Sequence, residues 1–393
     1  MGEGTPVAVT TVRVPVALDV LRWAVARSGR GVTDLQRSLP QVRDWLDGIR
    51  QPTMRQLEAF ASSTYTPLGY LFLPQPPIEA LPLPDFRTLA DQPVDRPSAN
   101  LLDTIYLCER RQEWFRDYAR REDLPPVAFV GTATDGSDPL EVSDQLRQVL
   151  GFAEGSRGST WTTALSRLAE RAETAGVLVM ISGVVGHNTH RLLDPGEFRG
   201  FAIADRLAPV VFVNGADTKA AQIFTLVHEL AHLWRGQSGV SAPEVGVEVD
   251  SADERWCNAV AADFLIPPAS LREAFDRQAD LTGQLDELAT RYKVSTLAVL
   301  RQLFDVRLLD ADTYYPAQRA EKARVLELAR TRTKDGGGGD FLNTAPVRAS
   351  KRFTRALITD THGGGTLHRE AFRLVGTRKS EVFEDLGRRL GVA

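Results

Sequence analysis

Apolar residues recur every three or four positions along most of this chain, and only the stretch near 176–213 packs them densely enough for strands. Near the start, Leu18, Leu21 and Val25 share a helical face, and Gly29 to Gly31 break that helix. Short helices follow over 32–39 and 41–46, Gly48 closes the second, and Thr53 is placed to cap a further helix through Leu57 and Phe60. Prolines then cluster at 73–77 and 81–84, the composition of a stiff extended linker or wrapping arm. Residues 100–121 carry one long helical pattern, with Leu101, Ile105, Leu107 and Trp114 as its expected buried positions. Helices over 139–150 and 160–175 lead to strands over 176–181, 200–204 and 210–213. A strong helix over 217–235 is followed by another over 253–266, stopped by Pro267 and Pro268. The run 285–304 reads as a helix-turn-helix pair, Gly336 to Gly339 as a flexible hinge, and 340–393 as a last basic module. This order predicts an α+β protein divided into an all-α region 1–80, a mixed body 81–315 with a small sheet, and a small C-terminal module 316–393.

A length of 393 residues suits two or three domains, and 43% hydrophobic with 25% charged residues is the balance of a folded chain rather than a disordered one. No apolar run reaches the ~18–20 residues of a membrane span. Arg13, Asp19 and Arg22 interrupt the N-terminal apolar stretch, which argues against a secretory signal, and Cys108 and Cys257 are too few for a disulfide framework. The expectation is a soluble cytoplasmic protein with reduced thiols and no membrane partner. The net charge of −4 hides an asymmetry: residues 1–90 carry +1, 91–315 carry −12 and 316–393 carry +7. Different parts of the chain should therefore attract different partners.

The chemistry concentrates in His228-Glu229-Leu230-Ala231-His232, an HExxH pattern. On a helix, four residues of spacing put the two imidazoles about 40° apart on one face, one turn from each other, where both can reach one ion. Glu229 then lies about 60° from His232, within reach of a water on that ion. Ile223, Val227, Leu230 and Trp234 cluster on the opposite face, and the small Ala221 and Thr225 leave room on the metal face for an ion and a substrate. Asp217 or Thr218 can cap the helix, and Gly236 ends it. A hydrolytic zinc site needs three protein ligands and an open position. Glu254, on the following helix, is the chosen third ligand, with Glu248, Asp250 and Asp253 as competitors. Asn258, one turn on from Glu254, is placed to orient a ligand from behind.

From Phe224 onward the sequence resembles the ImmA/IrrE family of metallo-endopeptidases, in FTLVHELAHLW (224–234) and ERWCNAVAADFLIP (254–267). The resemblance implies His228, His232 and Glu254 as metal ligands, Glu229 as general base, zinc as the metal, and a minimal zincin-like core. Cys257 and Val260 depart from the family's usual Ala and Phe. EFRGFAIAD (197–205) and APVVFVNGADTKAAQIF (208–224) are similar to the sheet and entry helix of one subfamily. RQPTMRQLEAFA (50–61), PLGYLFLPQPP (67–77) and LPDFRT (83–88) resemble its fused N-terminal helix-turn-helix of the XRE type, and 351–376 its C-terminal module. Leu35 and Trp45 are ten positions apart where that helix-turn-helix pattern has fourteen, so about one turn is missing from the helix that would read bases. A protein-contact role, or weak, non-specific DNA binding, is the resulting expectation for the N-terminal region.

The resemblance implies a zinc endopeptidase that cleaves a regulatory protein partner, an XRE-type repressor specified by a neighbouring gene. The alternative is an antitoxin-like or transcription-regulating binding protein that uses the zincin core as scaffold. His187 and His190 are assigned to a solvated turn, His362 and His368 to the surface, Cys257 to the core, and Trp23 and Trp45 to the core of the N-terminal region.

Overall fold

The computed structural model describes residues 12–85, 97–242, 251–331 and 340–392. It divides into two units, one formed by 1–81 with 95–103 and the other by 82–94 with 104–393. The expected Gly336–Gly339 hinge, Glu248 and Asp250 all lie outside the described residues.

In the first unit, helices Leu18–Arg27, Val32–Ser38, Val42–Leu46 and Met54–Ser63 and the 3-10 turn Leu68–Phe72 close around one core. Thr53 begins the fourth helix with a full capping box: its hydroxyl accepts from Gln56 N, and Gln56 Oε1 accepts from Thr53 N. Trp45 meets the edge of Phe60 at 6.1 Å, and Trp23 tilts against Tyr70 at 6.1 Å, so the two tryptophans anchor separate parts of this core. The third helix has only five residues, Val42–Leu46, less than two turns. Beyond the 3-10 turn, Glu79 folds back to an ion pair with Arg27 at 2.6 Å, its partner almost fully buried.

The second unit is α+β. Its sheet holds β1 (Leu178–Ser182), β2 (Gly200–Ile203), β3 (Val210–Asn214) and β4 (Gly239–Ser241) in the order β1-β3-β2-β4. β1 runs parallel to β3, while β2 is antiparallel to both β3 and β4. Every strand residue is buried, which is why these segments read as continuous apolar runs rather than alternating ones. Val179, Ile181, Ala202, Val211 and Val213 face the core shared with helix Lys219–Trp234, while Phe201 and Phe212 stack at 4.9 Å among the alternate residues. At the outer edge of β4, Val240 N donates to Pro84 O at 2.9 Å, and Asp85 makes a parallel bridge to Val240.

Helices Trp161–Thr174 and Ala252–Leu265 pack on Lys219–Trp234, and Trp161–Thr174 also meets β1. Helices Leu281–Tyr292 and Thr296–Asp305, the pair expected at 285–304, contribute Leu285, Leu288, Val299 and Leu303 to the main core. The expected boundary at 315 falls inside a helix, Ala311–Thr331, whose Tyr314 stacks on Phe304 at 4.3 Å. Helices Phe341–Ala349 and Lys351–His362 lie against β1, and His368–Val375 and Ser380–Leu390 complete that layer.

Two expectations need correcting. In helix Ala99–Arg121 Leu101, Ile105 and Trp114 are buried as expected, together with Cys108, Gln112 and Phe115, but Leu107 is only half-buried. His187 does not sit in a solvated turn. Its Nε2 meets Val375 O at 2.6 Å and its ring lies 4.8 Å from Phe341, so the C-terminal helices cover it, while His190 is exposed. Buried Arg111 ties the same layer down, donating through Nε to Leu374 O at 3.1 Å and through Nη1 to Arg348 O at 3.0 Å. Among the described residues no helix is long and apolar enough to cross a membrane, and Cys108 and Cys257 are both free and buried.

Candidate metal centre

Helix Lys219–Trp234 begins where Thr218 accepts a hydrogen bond from Ala221 N at 3.3 Å. It ends at Arg235, after which Gly236 takes φ +68° and approaches the backbone of Gly131 too closely for a side chain. Gly131 N and Ala133 N donate to Leu233 O and Trp234 O, satisfying the carbonyls left over at this helix end. The helix is enclosed: Ala221 is half-buried and every residue from Gln222 to Trp234 is buried. The helix is held between the sheet and two other helices, so it is apolar nearly all round, with Gln222, Thr225 and the motif residues breaking that pattern.

His228, His232 and Glu254 present ligand atoms that all lie within 4.8 Å of one another. His228 Nε2 and His232 Nε2 are 3.1 Å apart, and Glu254 directs Oε2 to His228 at 3.2 Å and Oε1 to His232 at 3.0 Å. Two imidazole nitrogens and a carboxylate are a zinc-type donor set. Tetrahedral zinc–nitrogen bonds of about 2.0–2.1 Å would place the two nitrogens about 3.3 Å apart. The residues present thus fit the metal. Glu254 reaches them because Ser251 caps the helix Ala252–Leu265, accepting from Glu254 N at 3.4 Å, and places Glu254 in its first turn.

Glu229 is fully buried, and neither of its carboxylate oxygens is in hydrogen-bonding geometry with a protein donor. Burial pushes its pKa well above the usual carboxylate value and the Glu254 charge adds to that. The Ser241 hydroxyl opposes the shift without forming a well-aligned bond. Burial acts on Glu254 in the same direction, but there the His228 charge and the hydrogen bonds from both rings prevail and hold its pKa at about 2. The two carboxyls thus diverge: one is held ionised by the imidazoles, the other readily accepts a proton. Burial lowers the His232 pKa, partly offset by its bond to Glu254.

Of the competing carboxylates, Asp253 turns away, receiving Arg235 Nη2 at 2.9 Å and Gln237 Nε2 at 3.0 Å. Asn258 is half-buried on the Glu254 helix, and its Oδ1 has no hydrogen-bond partner. Cys257 is fully buried, and burial pushes its thiol pKa well up. Three nearby residues went unnoticed in the sequence. Ser241 Oγ on β4 lies 3.4 Å from His232 Nε2, Gly200 on β2 abuts Glu229, and Gln237 follows the motif helix. β4 has three residues, too few for a periodic signal, though a glycine opening a strand can mark a close approach.

Residues 172–304 match the IrrE N-terminal-like domain family (Peptidase_M78). The match covers about a third of the chain and includes the motif helix, all four strands and Glu254. It supports a metallopeptidase-type function. Residues 349–389 match a domain of unknown function, DUF8813. Comparison with curated proteins finds no match.

Proposed function

We propose that the protein is a zinc-dependent endopeptidase that cleaves a regulatory protein, an XRE-type transcriptional repressor being the expected substrate. The convergence of His228, His232 and Glu254, with the partnerless Glu229 carboxylate beside it, carries this reading. His228, His232 and Glu254 are the ligands. Zinc held by them supplies Lewis acidity toward a carbonyl and toward water. Glu229 is the general base: its carboxylate, raised by burial, takes a proton from water at one of its free oxygens and later returns it to the leaving amine. Glu254, kept ionised, is suited to a ligand's role and not to proton transfer. The resemblance of 224–267 to ImmA/IrrE peptidases supports a protein substrate, and the −12 charge of residues 91–315 suits a basic one.

The test is to co-express wild type or Glu229→Gln with each regulator encoded beside it, following the regulator's length and the reporter it controls. A peptidase shortens its regulator only with Glu229 intact, while both forms retain zinc. An uncut regulator and the same reporter response from both forms would replace the enzyme with an antitoxin-like binding protein.

A further inference from the structure

We propose that Gln237 is a positioning residue for the metal cluster: its carboxamide oxygen accepts the Nδ1 proton of His232 and so holds that ring with the Nε2 lone pair turned toward His228 and Glu254. This rests on reading the cluster as a metal site.

After the motif helix ends, the chain doubles back, and Gln237 N donates to His232 O at 3.0 Å. The Gln237 side chain is thereby brought beside the His232 ring, whose pKa it raises against the effect of burial, as an acceptor would. Its orientation is determined at the other end. Nε2 donates to Asp253 Oδ2 at 3.0 Å, and a carboxylate can only accept, so the amide nitrogen must face Asp253 and the oxygen must face away. That oxygen is buried and stands in hydrogen-bonding geometry with no donor, so the bond proposed to His232 Nδ1 requires the amide or the ring to turn. Asp253 is itself fixed by Arg235 Nη2 at 2.9 Å, and the Arg235 guanidinium lies 5.1 Å over the Trp256 ring with its side chain only 7% exposed.

With that bond made, the chain Arg235–Asp253–Gln237–His232 joins the end of the helix carrying both histidines to the start of the helix carrying Glu254. Asp253 and Glu254 are adjacent, so the clamp sets the approach of the third ligand as well as one ring's tautomer. A ligating histidine needs its second nitrogen protonated and its ring orientation fixed, and outer partners of this kind typically contribute tenfold to a hundredfold in metal affinity.

The experiment measures zinc affinity of the full chain by competition with a chromophoric chelator, with thermal melting of the metal-free proteins as a check on folding. Gln237→Leu removes the acceptor and should weaken zinc about tenfold or more. Gln237→Glu combined with Asp253→Asn exchanges donor and acceptor while keeping an acceptor at 237, and should bind within about threefold of wild type. If Gln237→Leu fails to fold, the double variant still decides. Wild-type affinity in Gln237→Leu, or a double variant weakened about tenfold, would overturn the proposal and leave the metal site standing. A wild-type protein that binds no zinc would overturn both.

Discussion

Gly200 and Glu229 touch across the face where the sheet meets the motif helix. A Cβ at position 200 would lie 2.9 Å from Glu229 Oε1, 2.6 Å from Thr225 Cγ2 and 2.9 Å from Phe212 O. The third contact is backbone, so the strand cannot retreat, and the carboxylate would have to move. Gly200→Ala should therefore cost about 1–3 kcal/mol of stability through overpacking. Peptidase activity should fall at least about tenfold, because a base displaced by a fraction of an ångström loses its alignment with the reacting water. Zinc content should stay near one per chain. Melting curves, elemental analysis and a cleavage assay on the same preparation separate these effects, and full activity in the alanine variant would remove Gly200 from any role in placing Glu229.

Glu254 and Glu229 are both buried carboxylates, yet they should respond differently to loss of charge. Glu254→Gln removes a ligand and should weaken zinc retention about tenfold or more. Glu229→Gln should retain the metal and lose about 10²–10⁴ in rate. Glu248→Gln, a competitor for third ligand in the sequence, serves as the comparison and should leave retention unchanged. Chelator titration of the three variants reads this directly. Metal released by the Glu248 change alone would move the third ligand.

Much of this architecture was legible because its signals are local. The HExxH spacing is set by helical geometry, and the Thr53 capping box by a hydroxyl and a glutamine three residues apart. The three apolar runs gave β1, β2 and β3 to within two residues at each end, since strands buried on both faces need no alternation. What could not be read depends on contacts distant in sequence. His187 looked like a solvated turn because nothing near it announces that Val375 and Phe341 will cover it. β4 was missed because three residues carry no period, and Ser241 and Gln237 went with it. The full enclosure of the motif helix was not legible either, since a helical wheel records polarity but not how many neighbours will pack around it.

His187 makes acid stability a probe of the layer that covers β1. Burial, opposed by the bond to Val375 O and assisted by the charges of Arg111 and Arg348, lowers its pKa to about 4 from the usual value near 6.5. A depressed folded-state pKa means the unfolded chain binds the proton first. The stability concerned is complete above pH ~6.5 and is lost as the pH falls toward 4. Wild type should lose on the order of 2–3 kcal/mol across that window through this residue. His187→Gln can still donate to Val375 O but does not titrate, and should show a flatter slope. Denaturant melts from pH 8 to 4 measure the difference, and parallel slopes would show that the His187 ring is not protonated with the cost its burial demands.

The last prediction concerns DNA and the five-residue helix Val42–Leu46. A recognition helix reads bases by laying several exposed side chains from its first turns into the major groove, while neighbouring elements hold the phosphates. Here Val42, Trp45 and Leu46 are buried in the unit's own core, which leaves only Arg43 and Asp44 outside it, and their charges oppose one another. Base readout by this helix has almost no side chains to work with. Arg37, Arg50 and Arg55 are exposed on flanking segments and can meet phosphates, a contact that carries no sequence information. If the N-terminal unit is a degenerate XRE-type helix-turn-helix, as its resemblance to that fold suggests, its binding should be weak, nearly indifferent to sequence, and steeply weakened by salt. Releasing counterions from two or three phosphates gives a slope of roughly −2 to −3 in log K against log salt. Selection from random duplexes at two salt concentrations, followed by a salt titration on one arbitrary duplex, measures both properties. Enrichment of a defined palindrome at physiological salt would mean that the bases are read by residues outside this short helix.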